Sequence, residues 1–138
     1  MRVKDIMTRI VVMLPPECSV EVAAEHMKKE NIGLLPIGDK DKVLGVITDR
    51  DITIRVTAEG RDPRRTRVRE VMTPNPSYTF EDEDIEDACL HMQDKHVRRL
   101  MVLNRSRDLV GVLSLDDVAV KTRKNDLTGY VLSKVATR

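Results

Sequence analysis

A chain of 138 residues is long enough for one domain, or for two small subdomains that share a core. Its 24 basic and 23 acidic groups nearly cancel, and it has no Trp, one Phe and two Tyr. It therefore lacks the basic face and the aromatic platforms that nucleic-acid binding uses, and nucleic acid is not an expected partner. No apolar run approaches a membrane span, the early run at residues 10–14 being five long, and no signal-peptide core follows Met1. With only Cys18 and Cys89 there is no disulfide framework, and a cytoplasmic protein with reduced thiols is expected.

In chain order, the opener Lys4-Asp5-Ile6-Met7-Thr8 leads to a candidate strand at residues 10–13. Val20, Ala23, Ala24 and Met27 then recur at helical spacing behind Ser19, a natural N-cap. Residues 34–37 and 43–47 are short runs rich in Val, Ile and Leu, which suit buried strands. Residues 52–57 alternate with period two, but Ile52/Val56 and Ile54/Ala58 are also i,i+4 pairs. Because Thr48-x-x-Asp51 precedes them and starts a helix, a helix is expected. Gly60 reads as its C-cap, and the arginine-dense residues 61–67 as a solvated linker.

The pattern then begins again. Arg69-Glu70-Val71-Met72-Thr73 repeats the opener at a shift of 65, counted from Lys4 to Arg69. A strand is expected around residues 77–80, then a helix carrying Ile85, Ala88, Cys89 and Met92 behind the N-cap Asp84. Apolar runs at 100–103 and 109–113 read as two further strands, and a last helix is expected at about 126–135. Blocks recurring in one order mark a tandem duplication. The expected fold class is α/β, with two β-α-β-β-α repeats divided at 1–62 and 63–138. One such repeat buries too little surface to be comfortable alone, so the two are expected to pack sheet to sheet with pseudo-two-fold symmetry.

Each repeat carries one signature, Gly45-Val46-Ile47-Thr48-Asp49-Arg50-Asp51 and Gly111-Val112-Leu113-Ser114-Leu115-Asp116-Asp117. A hydroxyl residue at the N-cap with a carboxylate three positions on is a capping box, and capping alone accounts for it. The same geometry also suits a ligand. Free N–H groups at a helix start attract phosphate, and an aspartate one turn in can accept hydrogen bonds from both hydroxyls of a ribose.

With these residues in view, the chain resembles a tandem CBS-domain protein, a Bateman module of the stand-alone bacterial or archaeal type. The resemblance rests on the paired Asp-Ile-Met-Thr and Glu-Val-Met-Thr openers, the Leu34-Leu35-Pro36-Ile37 strand and both Gly-led signatures, and spans about residues 3–122. It implies an adenine nucleotide (AMP, ADP or ATP) or another adenosyl compound as ligand, with no obligatory cofactor. It also implies a homodimer, and signalling to an unknown protein partner. Carried over, Asp51 and Asp117 match ribose-binding aspartates, and Thr48 and Ser114 match hydroxyls beside the phosphate. A first site is expected to combine Thr48, Arg50 and Asp51 with Ser77, Tyr78, Arg98 and Arg99. A second, weaker site is expected to combine Ser114, Asp116 and Asp117 with Val12, Gly33 and Leu34. Arginine grips phosphate through several donors, so the phosphate-bearing ligand is expected at the first.

No catalytic or metal-ligand spacing is found, and no enzyme is expected. His26 and His91 sit just off the apolar stripe, where a half-exposed structural role is expected, and Cys89 falls on the stripe as a small buried hydrophobe. The competing function is a structural or dimerising interaction module with degenerate clefts, built on the double-striped second helices (Ile52, Ile54, Val56; Val118, Val120).

Overall fold

A computed structural model describes residues 1–9, 12–122 and 125–136. In chain order the elements are α1 (Val3–Ile6), β1 (Thr8–Arg9), α2 (Val20–Glu30), β2 (Leu34–Asp39), β3 (Lys42–Thr48) and α3 (Asp49–Ile52), which runs into a π turn (Thr53–Thr57). There follow α4 (Val68–Val71), β4 (Thr73–Pro74), β5 (Tyr78–Phe80), α5 (Ile85–Lys95), β6 (Arg99–Leu103), β7 (Leu109–Ser114), α6 (Leu115–Thr122) and α7 (Asn125–Ala136). The mixed α/β class and the duplicated element order are as expected.

The compact units do not coincide with the sequence repeats. The chain forms two compact units, a continuous one (Val11–Pro76) and a split one (Met1–Ile10 with Ser77–Arg138). Each opener has left its own repeat: residues 1–9 fold with the body of the second, and α4 and β4 with the body of the first. The expected boundary at 62/63 thus describes the sequence repeat and not the folded unit. The reason is burial. Val3, Ile6 and Met7 enter the core of the split unit, while Val68 and Val71 enter that of the continuous unit.

In the continuous unit, Ser19 accepts a hydrogen bond from the Val22 N–H (3.3 Å) to start α2, and Asn31 ends it in the left-handed region (φ 53°). β2 and β3 form an antiparallel hairpin whose turn places Lys40 and Asp41 at positive φ, and β4 adds to β3 through Gly45↔Pro74 and Val46↔Thr73. The core gathers Leu14, Val20, Ala23, Met27, Leu35, Ile37, Ile47 and Val56 with the two opener valines. The leading strand expected at 10–13 is not formed by Val12 or Met13, and Ile10 and Val11 lie outside the described residues. What remains of it is one parallel bridge, Leu14 to Ile37.

The split unit repeats this plan with a fuller sheet, ordered β1-β7-β6-β5. Asp84 accepts from the Glu86 N–H (3.2 Å) at the start of α5, and His96 closes it at φ 54°. Here the leading strand is complete, β5 pairing in parallel with β6. The last helix, α7, adds Val131 and Val135 to a core that also holds Ile85, Ala88, Cys89, Met92, Leu100, Leu113 and Val118.

The signature glycines owe their place to the openers. A Cβ on Gly45 would lie 2.7 Å from Met72 Sδ and 2.8 Å from the Thr73 carbonyl oxygen. One on Gly111 would lie 2.7 Å from Met7 Sδ and 2.8 Å from the Thr8 carbonyl oxygen. The opener strand crosses β3 or β7 where only a hydrogen fits. Residues 52–57 are helical as expected, with a π turn closed by the Ala58 N–H to the Thr53 carbonyl (2.9 Å).

Candidate functional site

In both units a β-strand ends at the hydroxyl residue and a helix starts at the next position. In the continuous unit the Asp51 N–H donates to Thr48 Oγ1 (3.1 Å) and the Thr48 N–H donates to Asp51 Oδ2 (3.0 Å). In the split unit the Asp117 N–H donates to Ser114 Oγ (3.0 Å) and the Ser114 N–H donates to Asp117 Oδ2 (3.1 Å). Both capping boxes are closed, by aspartates that are largely buried at 13% and 14% side-chain exposure.

A basic residue one turn further on reaches each aspartate and also holds the end of an opener helix. Lys121 Nζ lies 3.4 Å from Asp117 Oδ1 and donates to the Ile6 carbonyl at 3.0 Å. Arg55 Nη1 lies 3.8 Å from Asp51 Oδ1 and donates to the Val71 carbonyl at 2.9 Å. These carbonyls are helix-terminal acceptors without an intrahelical donor, which the cations satisfy. Neither basic residue stands out in the sequence, because its two partners are an i−4 carboxylate and a carbonyl brought in by the exchange.

The flanks differ. In the split unit Arg99 is the register partner of Ser114, and the Arg98 carbonyl accepts from the Leu115 N–H (2.9 Å). Both guanidinium groups are exposed and have no hydrogen-bond or ion-pair partner among the described residues. Ser77 and Tyr78 belong to the same sheet: the Ser77 carbonyl accepts from the Met101 N–H (2.9 Å), and Tyr78 pairs with Met101. Arg107 lies 5.1 Å over the Tyr78 ring.

In the continuous unit the equivalent strand positions hold Gly33 and Leu34. Leu34 is the register partner of Thr48, and the Gly33 carbonyl accepts from the Asp49 N–H (3.0 Å). The Asp49 carboxylate fills the space beside Gly33, where an added Cβ would sit 3.0 Å from its Oδ2. Arg50 is exposed, and Val12 packs partly buried against the core.

Within the units, then, Ser77, Tyr78, Arg98, Arg99, Ser114 and Asp117 fall together, and Val12, Gly33, Leu34, Thr48, Arg50 and Asp51 fall together. Through the backbone, Arg99 adjoins Ser114 and Arg98 adjoins Leu115. No group of three or more metal-ligating side chains occurs among the described residues. No described helix is long and apolar enough to cross a membrane. His26 is half-buried, whereas His91 is exposed and lies 3.4 Å from Glu83.

The CBS domain family model matches residues 3–57 and 68–122. CBS domain-containing protein YhcV of Bacillus subtilis is 36% identical over 134 residues, covering 97% of this chain and 94% of that protein. Hypoxic response protein 1 of Mycobacterium tuberculosis is 34% identical over 129 residues, covering 93% and 90%. Among solved structures, the CBS domain pair of protein MJ0100, in complex with 5′-methylthioadenosine and S-adenosyl-L-methionine, superposes with a TM-score of 0.77 at 27% identity, covering 91% of this chain and 98% of that one. With both repeats matched, the same fold and boxed aspartates at corresponding places, the chain belongs to the CBS-domain family as a tandem pair.

Proposed function

We propose that this chain is a ligand-sensing regulatory module that binds an adenosyl compound, and that an anionic one is held at Ser114 and Asp117. The observation that carries this reading is the juxtaposition of Arg98 and Arg99, unpaired among the described residues, with a closed box at the start of the eight-residue α6. The helix start and two guanidinium groups offer donors to phosphate, and the carboxylate accepts from ribose hydroxyls. The adenosyl ligands of the MJ0100 pair support the ligand class. In the continuous unit the strand positions equivalent to Arg98 and Arg99 hold Gly33 and Leu34, which favours a less charged ligand beside Thr48 and Asp51. This proposal reverses the order expected from the family pairing and is supported by the sheet that the arginines share with Ser114.

Calorimetric titration of the full chain with AMP, ATP, 5′-methylthioadenosine and S-adenosyl-L-methionine tests the reading. Removing two charge-assisted donors in Arg98→Ala/Arg99→Ala weakens AMP and ATP about tenfold or more and leaves uncharged 5′-methylthioadenosine within about twofold. Failure of all four to bind at millimolar concentration would favour the interaction-module reading.

That second reading has its own observation. Ile54 and Val120, equivalent residues of the two repeats, are 43% and 74% exposed, a surface suited to self-association in the cytoplasm as a homodimer. Light scattering that gives a monomer mass would remove the homodimer from either reading.

A further inference from the structure

We propose that Thr8 is a built-in competitor for the Asp117 carboxylate, so that a ribose diol binding there loosens the segment Val3–Arg9. This rests on the adenosyl-binding reading and adds its regulation. An ionised carboxylate offers roughly four lone-pair directions on two oxygens. At Asp117 the Ser114 N–H takes Oδ2 at 3.1 Å, and the Lys121 ammonium lies 3.4 Å from Oδ1. The Thr8 hydroxyl straddles both oxygens at 3.3 and 3.4 Å. A vicinal diol donates two hydrogen bonds, and the Ser114 bond must stay because it starts α6. Ser114 and the diol together take three of the four directions, which leaves one for Lys121, so Thr8, lying across both oxygens, is the contact that yields.

Both hold the opener. Thr8 lies in β1, opposite Val112, and Lys121 donates to the Ile6 carbonyl at the end of α1. Losing the Thr8 bond leaves Lys121 as the remaining side-chain tie from α6 to a segment whose strand has two described residues. The continuous unit is not built this way. Thr73, equivalent to Thr8, makes no hydrogen bond to Asp51 among the described residues, and Arg55 stands 3.8 Å off. Asp51 can take a diol without disturbing its opener.

The test uses the full chain, with AMP and 2′-deoxy-AMP titrated into wild type, Thr8→Val and Lys121→Met. Thr8→Val keeps a β-branched shape on an exposed strand, and Lys121→Met keeps most of the stem. Loss of the competing bond tightens AMP binding about threefold in Thr8→Val, with 2′-deoxy-AMP unchanged. Hydrogen exchange of the amides of residues 3–9 speeds up on AMP addition in wild type and is already fast in Lys121→Met. AMP binding in wild type that Thr8→Val leaves unchanged or weakens, or opener amides that AMP protects, would overturn the competition alone. Absence of binding to wild type and both variants would overturn it together with the adenosyl-binding reading.

Discussion

The two units share a backbone plan down to the closed boxes, the glycine crossed by an opener and the cation that holds that opener's carbonyl. Beside the box they differ at Gly33, Leu34, Asp49 and Arg50 in one, against Arg98, Arg99, Leu115 and Asp116 in the other. After duplication, the features that shape the chain have stayed paired, while the charge around each aspartate has diverged. One box adjoins Arg98 and Arg99, unpaired among the described residues, and the other adjoins Gly33, Leu34 and Asp49. A shared frame thus carries two different electrostatic settings.

The paired features can be broken in parallel. Gly45→Ala and Gly111→Ala each drive a methyl group into a methionine sulfur and a backbone oxygen at nearly the same distances. Each should lower stability by about 1–3 kcal/mol in chemical denaturation, the usual range for overpacking. A loss at one glycine only would show that the openers are not held equivalently. Next come the caps. Thr48→Ala and Ser114→Ala each remove one side-chain acceptor, and the expected loss is about 1 kcal/mol for each. Equal losses would make the boxes structurally equivalent, leaving the arginines as the difference between them.

The smallest effect is acid sensitivity, to which each unit contributes one carboxyl. In the continuous unit, hydrogen bonds from the Arg67 N–H and then the Arg61 guanidinium hold Glu70 below its ordinary range. In the split unit the Arg105 side chain does the same to Asp82. A depressed folded-state pKa contributes stability above the unfolded-state value, which is lost as pH falls through the folded value. The melting temperature should therefore decline from pH 6 towards pH 3, and Glu70→Gln and Asp82→Asn should each flatten that decline slightly. Both groups are on the surface, so 1 M salt should reduce the effect.

Much of the fold was legible in the residues because it is local. The caps Ser19 and Asp84, the two boxes, the apolar stripes and the helix after Asp51 all depend on neighbours within four positions. The leading strand of the first repeat was legible only as a possibility, since a single bridge at Leu14 leaves little periodic pattern. The openers misled for another reason. Similarity between Lys4–Thr8 and Arg69–Thr73 records duplication, and it is silent about which body each segment packs against.

The same divide runs through the candidate site. Sequence alone determined the types and order of the elements, the boxed hydroxyl–aspartate pairs and the family, all carried by short-range spacing repeated twice. Tertiary structure decided the exchange of openers, the joint grip of Lys121 and Arg55 on an aspartate and a helix end, and the backbone pairing of Arg99 with Ser114. That last placement follows from the register of one hairpin, in which Arg99 stands opposite Ser114 across fifteen positions of chain. Strand register is set by the turn and by the buried face together, so no reading along the chain could place those charges.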